Sequence, residues 1–392
     1  MNRRSALAAL GAALCGFAWG HQGAAALAAL AAFLPLLWGL AGNRLAAGLI
    51  AAAYFLAASR GLPVGVGIFF AASAPAWFGW VLWAVAAAVN ALPWALLWHR
   101  TPGRRAWGAL AAVVLTALPP IGWMGWVNPV DVAGWWYPGM RFVGLAFMGG
   151  LAMALAARRW PVVGMLVGAS VIANVNAVLW PPRPPAQLAA WSAQDTAFPR
   201  LQSANADVLG DGARVVYVMQ LAQAMKPGQV LVLPETVLPA KGSASFAWMM
   251  LDGVSQQLKA KGATILAGTE VHRQGLPMLN VLTVLGGAGG EMVQRVPVPI
   301  GMWRPWERRT FAAEPFGSGV AELHGVRVAY SVCYEQLLTY PMIVSLAHAP
   351  AVLIGAANDW WARGTSIPAI QGQVLDAWGR LFRLPVLRAT NL

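Results

Sequence analysis

Cys333 closes the run Val326-Arg327-Val328-Ala329-Tyr330-Ser331-Val332, and Glu335-Gln336-Leu337-Leu338 follows it with a helical pattern. A β-branched, alternating stretch that ends on a thiol and gives way to a helix predicts a strand, a sharp turn and a helix start. The free N–H groups of a first helical turn and the positive end of its dipole favour a thiolate there. The thiolate is the nucleophilic form, suited to acyl chemistry. The alternative is a buried, inert cysteine. A carboxylate upstream favours the first reading. Val230-Leu231-Val232-Leu233-Pro234-Glu235-Thr236 places Glu235 just after an apolar strand, where α/β folds gather active-site groups. Its alternative is a solvated turn residue or the neighbour of a helix N-cap. Asn358-Asp359-Trp360-Trp361 also follows a strand pattern, and its two indoles read as walls of an apolar pocket or as side chains dipping into lipid.

The elements around these residues alternate between β-rich and helical. Strands are predicted at 229–233, 263–268, 278–285, 326–332, 351–356 and 385–390. Helices are predicted at 246–261, 335–347 and 367–381. This alternation defines an α/β layer fold over 201–392. It is preceded by Trp180-Pro181-Pro182-Arg183-Pro184-Pro185, which cannot continue a helix and opens a stiff linker at 181–200.

Residues 1–180 have a different character. The whole chain of 392 residues is 58% hydrophobic and only 10% charged, with a mean hydropathy of +0.57. Through residue 181 there are ten Arg, no Lys and one acid, Asp131; the remainder holds four Lys, thirteen Arg and thirteen acids. Apolar stretches at about 5–20, 23–42, 45–59, 78–98, 106–126, 140–157 and 161–180 approach the length that spans a bilayer. They predict a multi-pass helical membrane bundle of about seven spans, with 65–77 re-entrant or interfacial. Arg3, Arg4, Arg44, Arg100, Arg104, Arg105, Arg158 and Arg159 fall in alternate loops. With arginine inside, the N-terminus is cytoplasmic and the globular half lies outside. Trp123, Trp126, Trp135, Trp136 and Tyr137 read as an interfacial aromatic belt. Asn90, Asn174 and Asn176 either line a cavity or bond to neighbouring helices.

Several function classes fall away. The net charge of +13 arises largely from arginines at the ends of apolar runs, so direct nucleic-acid binding is not expected. Cys15 and Cys333 provide no disulfide framework. Leu14 occupies the position that a lipoprotein cleavage site keeps small. No apolar run carries the acidic relay of a proton-coupled pump. The chemistry calls for no cofactor and no metal.

Leu233-Pro234-Glu235-Thr236, Val298-Pro299-Ile300-Gly301, Cys333-Tyr334-Glu335, Asn358-Asp359-Trp360 and Leu387-Arg388-Ala389-Thr390-Asn391 occur here in the order and spacing of the nitrilase, or carbon–nitrogen hydrolase, superfamily. With the apolar half, the chain resembles the membrane branch of that superfamily, the apolipoprotein N-acyltransferases. The segment Arg295-Val296-Pro297-Val298-Pro299 with Trp303-Arg304-Pro305-Trp306 also resembles the TraB-type proteins of plasmid conjugal transfer.

The resemblance implies an αββα sandwich on the periplasmic side of the bacterial inner membrane. It implies a Glu–Lys–Cys triad, with Glu235 as general base, Cys333 as nucleophile, and Glu335 and Asn358 in support. The family lysine falls on Gln294. Arg295, the adjacent cation, is its expected substitute, although a guanidinium is a poor proton shuttle. Met302 stands where the family has an acid. Beyond Asn391 the family adds strands and a final span, so a trimmed domain with an unpaired edge strand, or a truncated chain, is expected. Two functions follow. One is a membrane-bound acyltransferase or amidase acting through a Cys333 thioester on a membrane lipid or acylated substrate, with Trp303, Trp306, Trp360 and Trp361 near its mouth. The other is a catalytically degenerate assembly factor for pilus or conjugation components.

Overall fold

The computed structural model describes residues 2–21, 23–71, 74–199, 208–242, 246–287, 289–304, 306–307 and 310–392. The expected junction at 200–201 and Pro305 of the tryptophan segment lie outside them. Contacts divide the chain into two units. The helical unit comprises Met1–Arg183, Leu337–Tyr340 and Trp361–Leu384; the globular unit comprises Pro184–Gln336, Pro341–Trp360 and Pro385–Leu392.

In the helical unit, Phe78–Leu96 and Trp160–Leu179 are long and apolar enough to cross a bilayer. Among the described residues, two further pairs reach that length only together: Arg44–Ala58 with Leu62–Phe69, bent by 55°, and Pro129–Trp136 with Arg141–Ala157, bent by 118°. The seven apolar runs are therefore not seven long helices. Run 23–42 is a 3-10 stretch, Ala25–Phe33, followed by the short helix Leu34–Trp38 with Pro35 in its first turn. In run 106–126 the α-helix ends at Ala117, ahead of Pro119-Pro120, and only the 3-10 turn Ile121–Met124 follows, because two successive prolines remove two N–H donors. Of the expected aromatic belt, Trp126 and Tyr137 are buried, whereas Trp123, Trp135 and Trp136 are half-buried. Trp123 donates to the Tyr340 hydroxyl (3.2 Å), and Trp136 to the Ala29 carbonyl (3.0 Å). Asn90 and Asn174 bond across helices, to the Met124 carbonyl and to the Trp135 and Trp136 carbonyls. Helix Ile367–Phe382 packs in this unit, against Ala133–Trp136. Trp361 stacks edge-on to Phe69 there, with ring centroids 6.0 Å apart.

The globular unit is built on two sheets. The first has the order β1 (Trp191–Ala193), β2 (Val230–Val232), β3 (Thr264–Val271), β4 (Leu279–Leu285), β5 (Met292–Val293). The second has β6 (Val320–Leu323), β7 (Val326–Val332), β8 (Val352–Asn358), β9 (Val386–Asn391). Strands β1–β3 and β7–β9 run parallel, with helical crossovers between them. β6 and β7 form a hairpin whose two turn residues, His324 and Gly325, both have positive φ (50° and 72°), as a two-residue turn matched to strand twist requires. Val230, Val232, Leu266 and Leu282 of the first sheet share one core with Val328, Tyr330, Val332, Ile354 and Ala356 of the second. The alternate residues Leu231, Ile265 and Ala267 join the helices Val208–Ala224 and Phe246–Ala260 in another core. This is the period-2 pattern of strands buried on both faces. The sequence reading missed β1, β5 and β6, with two to four residues each, too short to show a period. The expected helix 367–381 exists, but the contacts group it with the helical unit.

A Cβ on buried Gly134 would lie 1.7 Å from the Ala377 carbonyl oxygen, so this helix contact tolerates only glycine. Gly134→Ala is expected to lower stability by about 1–3 kcal/mol. The check is the melting temperature of the detergent-solubilised protein; an unchanged value would refute so close an approach.

Candidate active site

Each site residue sits where a strand ends. Glu235 follows β2 and Pro234, and Gly268 on β3 approaches it so closely that a Cβ there would fall 2.4 Å from the Glu235 Cα. Cys333 follows β7 at φ +53°, a left-handed conformation uncommon outside glycine. It opens a 3-10 turn, Cys333–Leu337, and the helix proper is Thr339–Ala347. The predicted helix 335–347 is thus shortened at its start. Pro341 explains the change: within a helix begun at Glu335 its missing N–H would break an interior bond, whereas in the first turn of Thr339–Ala347 that donor is not required.

The structure brings Glu235 and Cys333 together. The Cys333 thiol donates a hydrogen bond to the Glu235 carboxylate. Glu235 is 4% exposed and Cys333 5%. Glu235 Oε1 also accepts from Asn280 Nδ2 (2.5 Å), and Oε2 from the Asn358 backbone N–H (2.9 Å). Burial pushes the Glu235 carboxyl up to about 7, against the lowering effect of the hydrogen bonds from Cys333, Asn280 and the Asn358 backbone. Burial, then the charges of Glu235 and Asp359, push the Cys333 thiol well above its ordinary value, while a bond from the Asn358 backbone opposes them. The expected helix-dipole lowering is a correction. The turn is five residues of 3-10 helix, and the charges acting on the sulfur are the carboxylates of Glu235 and Asp359, which raise it.

Gln294, where the resemblance led to the expectation of a lysine, is 1% exposed. Its Oε1 accepts from Asn280 Nδ2 (2.8 Å), and its Nε2 donates to the Val332 carbonyl (3.0 Å). A neutral chain thus runs from Glu235 through Asn280 and Gln294 to the residue before the nucleophile. Arg295 does not replace the lysine. Its guanidinium pairs with Glu335 (3.3 Å) and donates to Ser345 Oγ (3.0 Å), the Pro341 carbonyl (3.1 Å) and the Tyr330 carbonyl (3.4 Å). Among the described residues, neither Glu235 nor Cys333 is its partner. β5 ends at Val293 and the chain bends at Arg295 and Val296, and the partners of the guanidinium there hold it with Glu335 rather than with the pair. Glu335 accepts from the backbone N–H groups of Arg295 and Val296 (2.8 Å for the latter). It thereby fastens this segment to the nucleophile turn.

Asn358 contributes its backbone N–H; its side chain accepts from Asn391 Nδ2 (2.8 Å). Asn280 escaped the sequence reading. Its signal was a lone amide within the apolar strand Leu279–Leu285. Trp306 is 71% exposed. Among the described residues, no group of three or more His, Cys, Asp or Glu could hold a metal ion.

Two apolar sheets meeting at a buried thiol–carboxylate pair define a candidate cysteine acyl-transfer site. No family model matches the chain. It is 36% identical over 390 residues to the conjugal transfer protein TraB of Agrobacterium fabrum, covering 95% of this chain and 89% of that one. It is 32% identical over 385 residues to the probable conjugal transfer protein TraB of Sinorhizobium fredii, covering 95% and 94%. The chain belongs to the TraB conjugal transfer proteins. Solved structures similar to it include a carbon–nitrogen hydrolase from Helicobacter pylori (TM-score 0.36, 15% identity, 51% of this chain and 72% of that one). Another is an amidase of the nitrilase superfamily from Nesterenkonia (TM-score 0.34, 14% identity, 51% and 75%).

The Glu235 carboxyl has a testable linkage. The folded protein holds its proton up to about pH 7, whereas the ordinary value is 4.5. Between these values the folded state binds more protons, so stability falls as pH rises. Relative to Glu235→Gln, the parent is expected to lose about 3 kcal/mol between pH 4.5 and 7. Denaturant unfolding at both pH values measures it; a constant difference would place the carboxyl in a wetter setting.

Proposed function

We propose that this protein serves conjugation as a membrane protein whose globular unit transfers acyl groups through Cys333, in the manner of carbon–nitrogen hydrolases. The observation that carries the reading is the hydrogen-bonded Glu235–Cys333 pair, with the cysteine at positive φ. Such a backbone costs on the order of 1–3 kcal/mol and is typical of functional sites. Glu235 takes the thiol proton as the sulfur attacks the carbonyl carbon of an amide or ester. The tetrahedral adduct collapses, the C–N or C–O bond breaks, and Glu235 returns the proton to the departing amine or alcohol. A thioester remains, which water or a second amine then opens. Once protonated, Glu235 no longer opposes the thiolate, so the pair titrates as a unit. Without the family lysine, stabilisation of the oxyanion falls to neutral donors, and slow turnover is expected.

The helical unit is proposed to be a multi-pass anchor in the bacterial inner membrane, with the globular unit on the periplasmic side, as the arginine distribution favours. Val162, Met165, Val171, Ile172, Val175 and Val178 are exposed along Trp160–Leu179, a surface suited to lipid. The proposed partners are a membrane lipid or acylated substrate and pilus or conjugation components. Gln294 and the Arg295–Glu335 pairing favour a second reading, a non-catalytic assembly factor that keeps the fold.

Cys333→Ala separates the two. The first reading expects an acyl adduct on the purified parent by mass spectrometry, its absence from the variant, and a DNA transfer frequency at least about tenfold lower in donors carrying the variant. Unimpaired transfer with no adduct would leave the assembly reading. Gln294→Lys should speed alkylation of Cys333 by iodoacetamide at pH 7.5 about tenfold, because a nearby cation lowers a thiol by a unit or more. An unchanged rate would show that the missing charge does not limit the sulfur.

A further inference from the structure

A groove of about 480 Å³ opens in the helical unit between residues 138–140, helix Trp160–Leu179 and Arg383. That volume lies within the range of about 300–1,000 Å³ usual for ligand sites. Its floor is apolar, with Ala169, Ala173 and Ala177 stacked at four-residue spacing beside Ile172. One end is polar: Asn176, Trp180 and Arg383. Arg383 is the single charged residue among those lining it.

Arg383 is held in place at some cost. It ends helix Ile367–Phe382 at φ +58°, a left-handed cap that usually carries glycine. Its guanidinium donates to the Trp180 carbonyl, and its methylenes lie over Gly139, where a Cβ would come within 3.1 Å of Cδ. The side chain remains exposed. A fixed guanidinium with N–H groups to spare is a receptor for a phosphate. An apolar trough leading away from it fits an acyl chain, and an indole beside it suits headgroup depth.

We propose that this groove holds an anionic glycerophospholipid, its phosphate on Arg383, its glycerol and ester region against Asn176, and an acyl chain along the alanine floor. The inference rests on the membrane reading given above. Charge complementarity selects the occupant: the groove offers a cation and no carboxylate to an anionic headgroup.

The test uses the full chain purified in mild detergent and exposed to equal amounts of phosphatidylglycerol, phosphatidylethanolamine and phosphatidylcholine. Retained lipid is counted by native mass spectrometry. Phosphatidylglycerol should be retained preferentially, and Arg383→Gln should reduce its retention about fivefold, the factor that one basic residue contributes at a membrane surface. Arg383→Gly, which relaxes the backbone, should lose the lipid equally while melting no lower than the parent. Ala177→Phe should block the floor and lose all three lipids. Inorganic phosphate should not compete. Parent-like retention by both Arg383 variants, or displacement by phosphate alone, would overturn the proposal. Carbonate extraction of membranes keeps the two ideas apart. A chain released by carbonate sinks the membrane reading, whereas a retained chain with unselective lipid binding sinks only this site.

Discussion

The Glu235 carboxylate, buried behind β2, is the constraint around which the globular unit is arranged. A buried charge is tolerated only where donors replace water. Here they are an amide from β4, a backbone N–H from the end of β8 and the thiol at the end of β7. Each fixes something larger. Asn280 pairs with Glu270 in the β3–β4 register, which also sets Gly268 opposite Leu282. A slip of one residue would turn Asn280 to the other face and put an apolar side chain against the carboxylate. The thiol reaches Glu235 from a residue at positive φ. Strand register, a missing Cβ and a strained turn thus serve one buried carboxyl group, and both sheets are tied together by it.

Glu335 shows how differently a second carboxylate can be held. It is fully buried and lies two residues beyond the nucleophile, yet a guanidinium and several backbone N–H groups surround it. Removing either member of that ion pair would strand the other in the interior. Arg295 is therefore committed to structure. Its neighbour Gln294 faces the other way and offers only an amide to the chain that leads to Glu235. One step along the bend after β5 separates a charge held by the scaffold from an amide joined to the site.

Much of this was readable from the sequence. Glu235, Cys333 and Asn358 each stand at the end of an apolar run, and runs of that kind are strands whatever their partners. The composition split at residue 181 likewise separates a helical half from an α/β half. What could not be read depends on pairing or direction. Asn280 acquires meaning only once β4 is in register with β3. Arg295 looks like a substitute cation until its pairing with Glu335 and Ser345 is known. The helix expected at Cys333 ignored Pro341, and the count of seven apolar helices ignored Pro35 and Pro119-Pro120. Those prolines were visible, but composition windows average them away.

Chain connectivity then bears on how the site is governed. The nucleophile turn ends at Leu337, and Leu337–Tyr340 already belongs to the helical unit. There the buried Asp131 accepts from the Thr339 hydroxyl (2.8 Å), and Trp123 donates to Tyr340. The same holds after β8: Asn358, Asp359 and Trp360 are followed by Trp361–Leu384, again part of the helical unit. Two of the strand-end segments that carry site atoms therefore continue into that unit with almost no spacer.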